Sequence, residues 1–409
     1  MLYKKSLIYL FSIFPLAILI GNLTINVSIL IISLLFIFNL IKVKIYFSIK
    51  NKLYLLYFLF FISLIINLIF SNDLSLTYPR VLKFFFIIFF IISYNFLIME
   101  SEKNDEFKIY KIWSIILLII ILDLIFEFFN GKNILGFTSV MPGARLASFT
   151  GNEGAIGGFF YGFVLFFLSY LNIKFNNKYL TFFVALFLII LSFLIGERSN
   201  FIKIFLSITI FLTVLNQVKF KELTAALILI VFSLILFLNL NKDYKLRYFE
   251  QVKILFQKKG ISEYLDNSLY GAHYNVAKEI FKDNPIFGVG IKNFRIESHS
   301  NKKYENLDHP YNAKRGSTHP HQIHYEFLSE TGLFGYFSFL IFLGFSLFFS
   351  IKNYLIEKNI FQLSGILFVL TSIIPLLPSG SFFSTYNSSF FWINYAVMMG
   401  YINYKKFNF

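Results

Sequence analysis

A polytopic all-α membrane protein, with about 12 transmembrane helices and one large, partly helical loop, is the fold class that this sequence predicts. Three observations carry the expectation. The 409 residues are 57% hydrophobic and only 14% charged, whereas soluble chains average about 45–50% apolar and 25% charged. Apolar runs of spanning length recur along the chain, each near the roughly 20 residues a membrane helix needs. One long polar stretch, 241–324, interrupts them. The formal net charge of +15 therefore belongs to membrane loops and does not indicate a nucleic-acid binder. Cysteine is absent, which excludes disulfides, thiolate metal sites and cysteine nucleophiles.

The spans fall near 6–20, 23–41, 53–70, 81–99, 112–129, 154–171, 179–195, 201–215, 223–240, 325–350, 363–378 and 389–403. The first follows Lys4 and Lys5 and imitates a signal peptide. No small-x-small cleavage site follows it, so it reads as a retained helix. The chain divides into helices 1–9 over 1–240, the loop over 241–324, and helices 10–12 over 325–409. No internal repeat is evident.

Orientation follows from Lys and Arg in short loops. With the N-terminus in the cytoplasm, the inner segments hold 17 basic residues, among them Lys42, Lys44, Lys50, Lys52, Lys103, Lys108, Lys405 and Lys406. The short outer loops hold Arg80, Lys132, Arg145 and Arg198. Both termini are expected in the cytoplasm, and 241–324 on the outer side of the membrane. That loop carries all six histidines. Within it, Val276, Ala277, Ile280 and Phe281 share a helical face that Pro285 ends, predicting a helical cap on the outer surface.

All six arginines (Arg80, Arg145, Arg198, Arg247, Arg295 and Arg315) fall on the outer side, against 31 lysines spread over both. Inner loops need only charge, which Lys supplies. Guanidinium adds a planar, two-pronged donor suited to phosphate. Arg198 lies in the short turn IGERSN between two spans, where an unpaired charge is costly. It reads either as a snorkelling interfacial residue or as a ligand for an anion. Asp123 and Glu127, four apart on one helix face, are expected to form a structural ion pair with Arg198 or Arg145.

His319, His321 and His324 join the loop to the tenth span. Their spacing does not match the i, i+4 zinc pair, no acid completes a set, and no Asp-x-Asp occurs, so no metal is expected. A loop histidine alone is most often a surface residue. His321, however, precedes a helix whose N-terminal dipole keeps a ring neutral and able to accept a proton. Gly332 and Gly335 would let another helix or a lipid approach closely.

His321-Gln322, nine residues, Gly332, two residues and Gly335 resemble the signature of the O-antigen ligase and polymerase superfamily. The span count, the large loop before the third-last helix, Arg198 in GERSN and the stretch NPIFGVGIKNF (284–294) are similar to that family as well. The resemblance implies a GT-C-like membrane glycosyltransferase, inverting and metal-independent, without cofactor. It implies an undecaprenyl-diphosphate-linked glycan as donor and an acceptor hydroxyl such as that of lipid A-core. In that reading His321 is the base, with Gln322, Gly332 and Gly335 as motif support. Arg198, Arg295, His273 and Arg145 contact the diphosphate. His273 stands where many members have an arginine, so it either binds phosphate when protonated or caps the loop, and Arg295 is a substitute.

Two other readings stay open: a polysaccharide polymerase of the same superfamily, and, from another class, a polyprenyl-lipid transporter. Transfer to a protein hydroxyl is a further member type. The topology has a direct test on the cysteine-free background. A single cysteine at position 309 should react with an impermeant reagent from outside the cell, and labelling only from the cytoplasm would reject the orientation.

Overall fold

The computed structural model describes residues 2–43, 52–100, 103–139, 141–153, 155–215, 219–255, 265 and 268–402. Lys44, Lys50, Lys405 and Lys406, counted among the inner basic residues, lie outside the described residues, as do the side chains of Lys52 and Lys103. The chain is an all-α polytopic membrane protein. Its main helices are α1 (Leu2–Ile20), α2 (Asn22–Val43), α3 (Lys52–Ile69), α4 (Leu74–Glu100), α5 (Lys103–Asn130), α6 (Ile156–Phe175), α7 (Lys178–Leu194), α8 (Arg198–Val214), α9 (Phe220–Leu240), α10 (Leu269–Asp283), α11 (Phe294–Ser300), α12 (Ile323–Glu357), α13 (Ile360–Ser372) and α14 (Thr385–Gly400).

Each expected span is occupied by a helix. Among the described residues seven (α1, α2, α4, α5, α6, α9 and α12) are long and apolar enough to cross a membrane, and α3, α7 and α13 are shorter apolar helices. The boundaries differ for local reasons. α4 starts at Leu74, ahead of the expected 81, because Asp73 Oδ1 accepts from the Ser75 N–H (2.8 Å) and caps it. α5 starts at Lys103, where Asp105 meets Lys4 (3.3 Å) and Lys108 (2.9 Å). α13 stops at Ser372, short of 378, because Pro375 disfavours helix in the residue before it.

The helices form two compact units that interleave along the chain. The first comprises 1–24, 97–254 and 359–372. Its centre is α6, buried almost continuously from Ile156 to Tyr170 and packed by α5, α7, α8 and α13. Interhelical hydroxyl bonds join α6 to α13: Ser169 to Ser364 (2.7 Å) and Tyr161 to Thr371 (2.6 Å).

The second unit comprises 25–96, 255–358 and 373–409. Its core is aromatic. Phe60 stacks on Phe342, Phe327 stacks on Phe339, and Phe382 and Trp392 close around them. The feature that positions the site is a break in α12. Gly332 adopts φ 65°, ψ −169°, a conformation essentially reserved for glycine. The break frees the Ser329 and Glu330 carbonyls and the Leu333 and Phe334 N–H groups from their helical partners. All four are taken up by 285–290. Leu333 donates to Pro285 O (2.8 Å) and Phe334 to Ile286 O (3.0 Å). Val289 donates to Ser329 O (3.1 Å) and Gly290 to Glu330 O (2.9 Å).

Sequence reasoning placed another helix or a lipid against Gly332. The structure corrects this. The approaching element is the Pro-x-x-Gly-x-Gly stretch, because a Cβ at Gly332 would overlap the Ile286 carbonyl and one at Gly288 would overlap the Glu330 backbone. Gly335 faces the Thr331 side chain of its own helix. Asn67 locks the joint, donating to Phe287 O (2.7 Å) and Glu330 O (2.9 Å) and accepting from the Ile291 N–H (3.1 Å).

Gly332→Ala should cost at least about 2 kcal/mol, since the backbone conformation alone carries about 1–3 kcal/mol and the overlap is with main chain. Gly344→Ala, on the same helix in open space, should be near neutral. Thermal midpoints of the two variants in detergent compare them, and equal midpoints would refute the joint.

Candidate functional site

His321 ends an extended segment just ahead of α12. Gln322 is the cap residue, its side chain accepting from the Tyr325 N–H (3.0 Å). His321 itself takes φ 59°, unusual for a side chain of its size. The Ser379 N–H bonds its carbonyl (2.8 Å) and holds it there. Its ring lies 5.3 Å from those of Tyr270 and His273 and 4.1 Å from that of His319, centroid to centroid.

Hydrogen bonding separates the three motif histidines. His319 Nε2 meets the Ser379 carbonyl (3.3 Å), so that nitrogen carries the proton, and Nδ1 meets the Thr318 hydroxyl (3.0 Å). His324 Nε2 meets the Ile373 carbonyl (2.9 Å) and Nδ1 the Tyr336 hydroxyl (2.8 Å). Both rings have both nitrogens engaged. His321 meets only the Ser317 hydroxyl through Nε2 (3.1 Å), and among the described residues Nδ1 has no partner. Burial first, then the neighbouring His273, pushes the His321 imidazole down to about 4, and burial with His321 beside it pushes His319 down to about 2. Both rings are neutral at ordinary pH.

His273 is buried, donates from Nδ1 to the Arg315 carbonyl (3.0 Å), and is held below the usual imidazole range mainly by that burial. It thus ties the 315–317 loop to α10 and presents no charge to a diphosphate at neutral pH. Arg295 lies within electrostatic reach of Arg80, and its Nε is buried without a hydrogen-bond partner among the described residues.

A buried ionic group that sequence reasoning missed supports this arrangement. Glu326 and Glu330, one turn apart in α12, are fully buried, and Lys292 is 4% exposed. The Lys292 ammonium donates to Ser381 Oγ, which donates to Glu326, and Lys292 stands 3.9 Å from that carboxylate. Glu326 also accepts from the Phe382 N–H (2.7 Å), and Glu330 from the Lys292 N–H (2.8 Å). The group clamps 379–382, the segment that holds the backbone of His321. The legible signal was two acids at i, i+4 in an apolar helix, since such charges persist only when paired.

The remaining candidates lie in the first unit. Arg145 Nη2 pairs with Glu197 (3.2 Å), and Arg198 Nη1 donates to the Arg247 carbonyl (3.2 Å). Arg247 donates to the Gly196 carbonyl (2.6 Å), and burial with Arg145 and Arg198 nearby lowers its pKa. Three guanidiniums thus gather beside the Glu197 carboxylate. Gly196, at φ 81°, is required because a Cβ would overlap the Ala144 carbonyl. Asp123 and Glu127 do not pair with these arginines, contrary to expectation. They accept from the backbone of the α5–α6 connection: Asp123 from Ile134 N (2.9 Å), Glu127 from Ala147 N (2.9 Å) and Ser148 N (2.6 Å). Unsatisfied loop N–H groups near the membrane outbid a more distant cation.

Residues 183–340 match the family model described as O-antigen ligase. The match covers less than half of the chain, and over that segment the chain is similar to O-antigen ligases. The matched segment runs from within α7 to the span half of α12 and contains Arg198, Arg295, His273, His321, Gly332 and Gly335. No curated protein matches the chain. The O-antigen ligase match supports a glycosyl-transferring membrane enzyme, and the hydrogen-bond exchange between 285–290 and 329–334 lies wholly within it.

If His321 is the base, the acid limb of kcat/KM should follow its depressed pKa. Stability linked to its neutral form is complete above the free value near 6.5 and is lost as pH falls toward about 4. Transfer should therefore stay flat from pH 8 to roughly 5 and fall below that. An acid limb at 6.5 or higher would show that the titrating base is another group.

Proposed function

We propose that the protein transfers a glycan from undecaprenyl diphosphate to an acceptor hydroxyl, as an O-antigen ligase does, on the periplasmic side of a bacterial inner membrane with both termini cytoplasmic. The reading rests on His321. Of the three motif histidines it alone keeps an uncommitted ring nitrogen among the described residues, and it lies inside the ligase-matched segment.

The chemistry follows from that nitrogen. The acceptor hydroxyl gives its proton to the His321 ring, and its oxygen forms a bond to the anomeric carbon. The bond from that carbon to the diphosphate oxygen breaks, and the electron pair leaves with the diphosphate. Attack opposite the leaving group inverts the anomeric centre. A base with a pKa near 4 is weak in the free protein. An approaching diphosphate, being anionic, stabilises the imidazolium and strengthens the base as the proton transfers. The leaving group needs two-pronged cationic donors, which guanidinium supplies. Lipid A-core is the acceptor we favour. No metal or cofactor enters this scheme.

The test is transfer from a purified undecaprenyl-diphosphate glycan by three single variants. His321→Ala should lose about 10²–10⁴-fold in rate while still inserting in the membrane. His324→Ala should cost less in rate and more in thermal midpoint, because it bonds Tyr336 across the break in α12 and ties that helix to the Ile373 carbonyl. His319→Ala should cost least in rate. Loss in all three together with inhibition by EDTA would indicate a metal cluster and reject the scheme. In a deletion strain, full-length lipid-linked polymer should accumulate, whereas single repeat units would identify a polymerase.

A further inference from the structure

Lys83 lies nine residues into α4, a span of mean hydropathy 2.3, where a charge persists only if paired or facing a polar cavity. Its ammonium donates to Ser388 Oγ (2.7 Å). One turn earlier, Arg80 reaches Thr385 Oγ1 at 3.4 Å. The two contacts are in register, three residues apart on α4 and three apart on α14, so both cations lie on the face of α4 toward α14. Arg295 is within electrostatic reach of Arg80, and Lys292 within reach of Lys83. Among the described residues no carboxylate comes within 4.0 Å of Arg80, Lys83 or Arg295. Lys292 is engaged with Ser381 and Glu326.

Among the described residues Arg80 and Lys83 thus meet hydroxyls at hydrogen-bond distance, the one carboxylate within electrostatic reach of Arg80 is the buried Glu330, and the Arg295 Nε is buried and unmatched. Hydroxyls satisfy donors but do not neutralise charge. Snorkelling does not explain Lys83, whose head group is turned to Ser388 on a neighbouring helix. A phosphate oxygen set fits: it is anionic, accepts two-pronged bonds from guanidinium, and takes an ammonium as a point charge.

We propose that Arg80, Lys83 and Arg295 form a binding seat for a lipid-borne phosphate group. The phosphate belongs either to a polyprenyl diphosphate or to a glycerophospholipid headgroup, and the reading given under Proposed function bears only on which. The seat lies in the same unit as His321, with Lys292 within reach of both Lys83 and His319.

The test measures binding without turnover, so failure of the transfer reading leaves its result intact. The full-length protein in nanodiscs of zwitterionic lipid is titrated with undecaprenyl diphosphate and, separately, with phosphatidylglycerol, by native mass spectrometry. Lys83→Met and Arg80→Gln should each weaken the preferred lipid about tenfold or more, while Lys83→Arg keeps most of the affinity. Preference for undecaprenyl diphosphate identifies a reaction substrate, and preference for phosphatidylglycerol a structural lipid. Wild-type affinity for both lipids in Lys83→Met and Arg80→Gln overturns the proposal. Should Lys83→Met fail to insert, Arg80→Gln and Ser388→Ala decide it, and unchanged binding in both overturns it equally.

Discussion

Backbone hydrogen-bond satisfaction at the membrane controls this structure. A helix broken inside or beside hydrocarbon exposes N–H and C=O groups that water cannot reach, and each must find a protein partner. At Gly332 the freed groups of α12 trade bonds with 285–290, two given and two received. The exchange requires two backbones to touch, which only glycine permits at Gly332 and Gly288. The two glycine motifs, some 40 residues apart in sequence, are therefore halves of one joint. Everything at the histidine segment inherits its position from that joint, because Glu326 and Glu330 lie on the short helical piece it terminates.

Charge is distributed with the same economy. Lys292 and the two glutamates hold the 379–382 segment from beneath, while His321 sits among Tyr270, His273 and His319 and remains neutral. A neutral ring with a free nitrogen and a set of cations with no carboxylate within 4.0 Å therefore lie in the same unit, among the described residues.

Much of this was legible in the residues. Composition and apolar run length identified the membrane fold, since a span is long and its signal is summed over many side chains. His321 was distinguished from its neighbours by motif context, and the structure adds a separate chemical ground, the uncommitted nitrogen. The roles of Asp123 and Glu127 were not legible. Their partners are chiefly backbone N–H groups 11 to 21 residues away, with the Ser148 hydroxyl on Asp123, and backbone carries no sequence signature. Nor was the Lys292, Ser381 and Glu326 group, whose members lie 34 to 89 positions apart and meet only through the joint at Gly332. The hydroxyl partner of Lys83 lies 305 residues away, a distance that no local pattern reports.

The clamp on the histidine segment also has a temporal side. Glu326 accepts from Phe382, 56 residues further along the chain. At the roughly 5–20 residues per second of synthesis, that partner emerges about 3–11 seconds later. Until then the carboxylate is without its Ser381 hydroxyl and Phe382 N–H donors. The segment 379–382 is thus a late arrival: α12 and the helices before it are synthesised before the groups that hold the His321 backbone exist, and that backbone is fixed only after they follow.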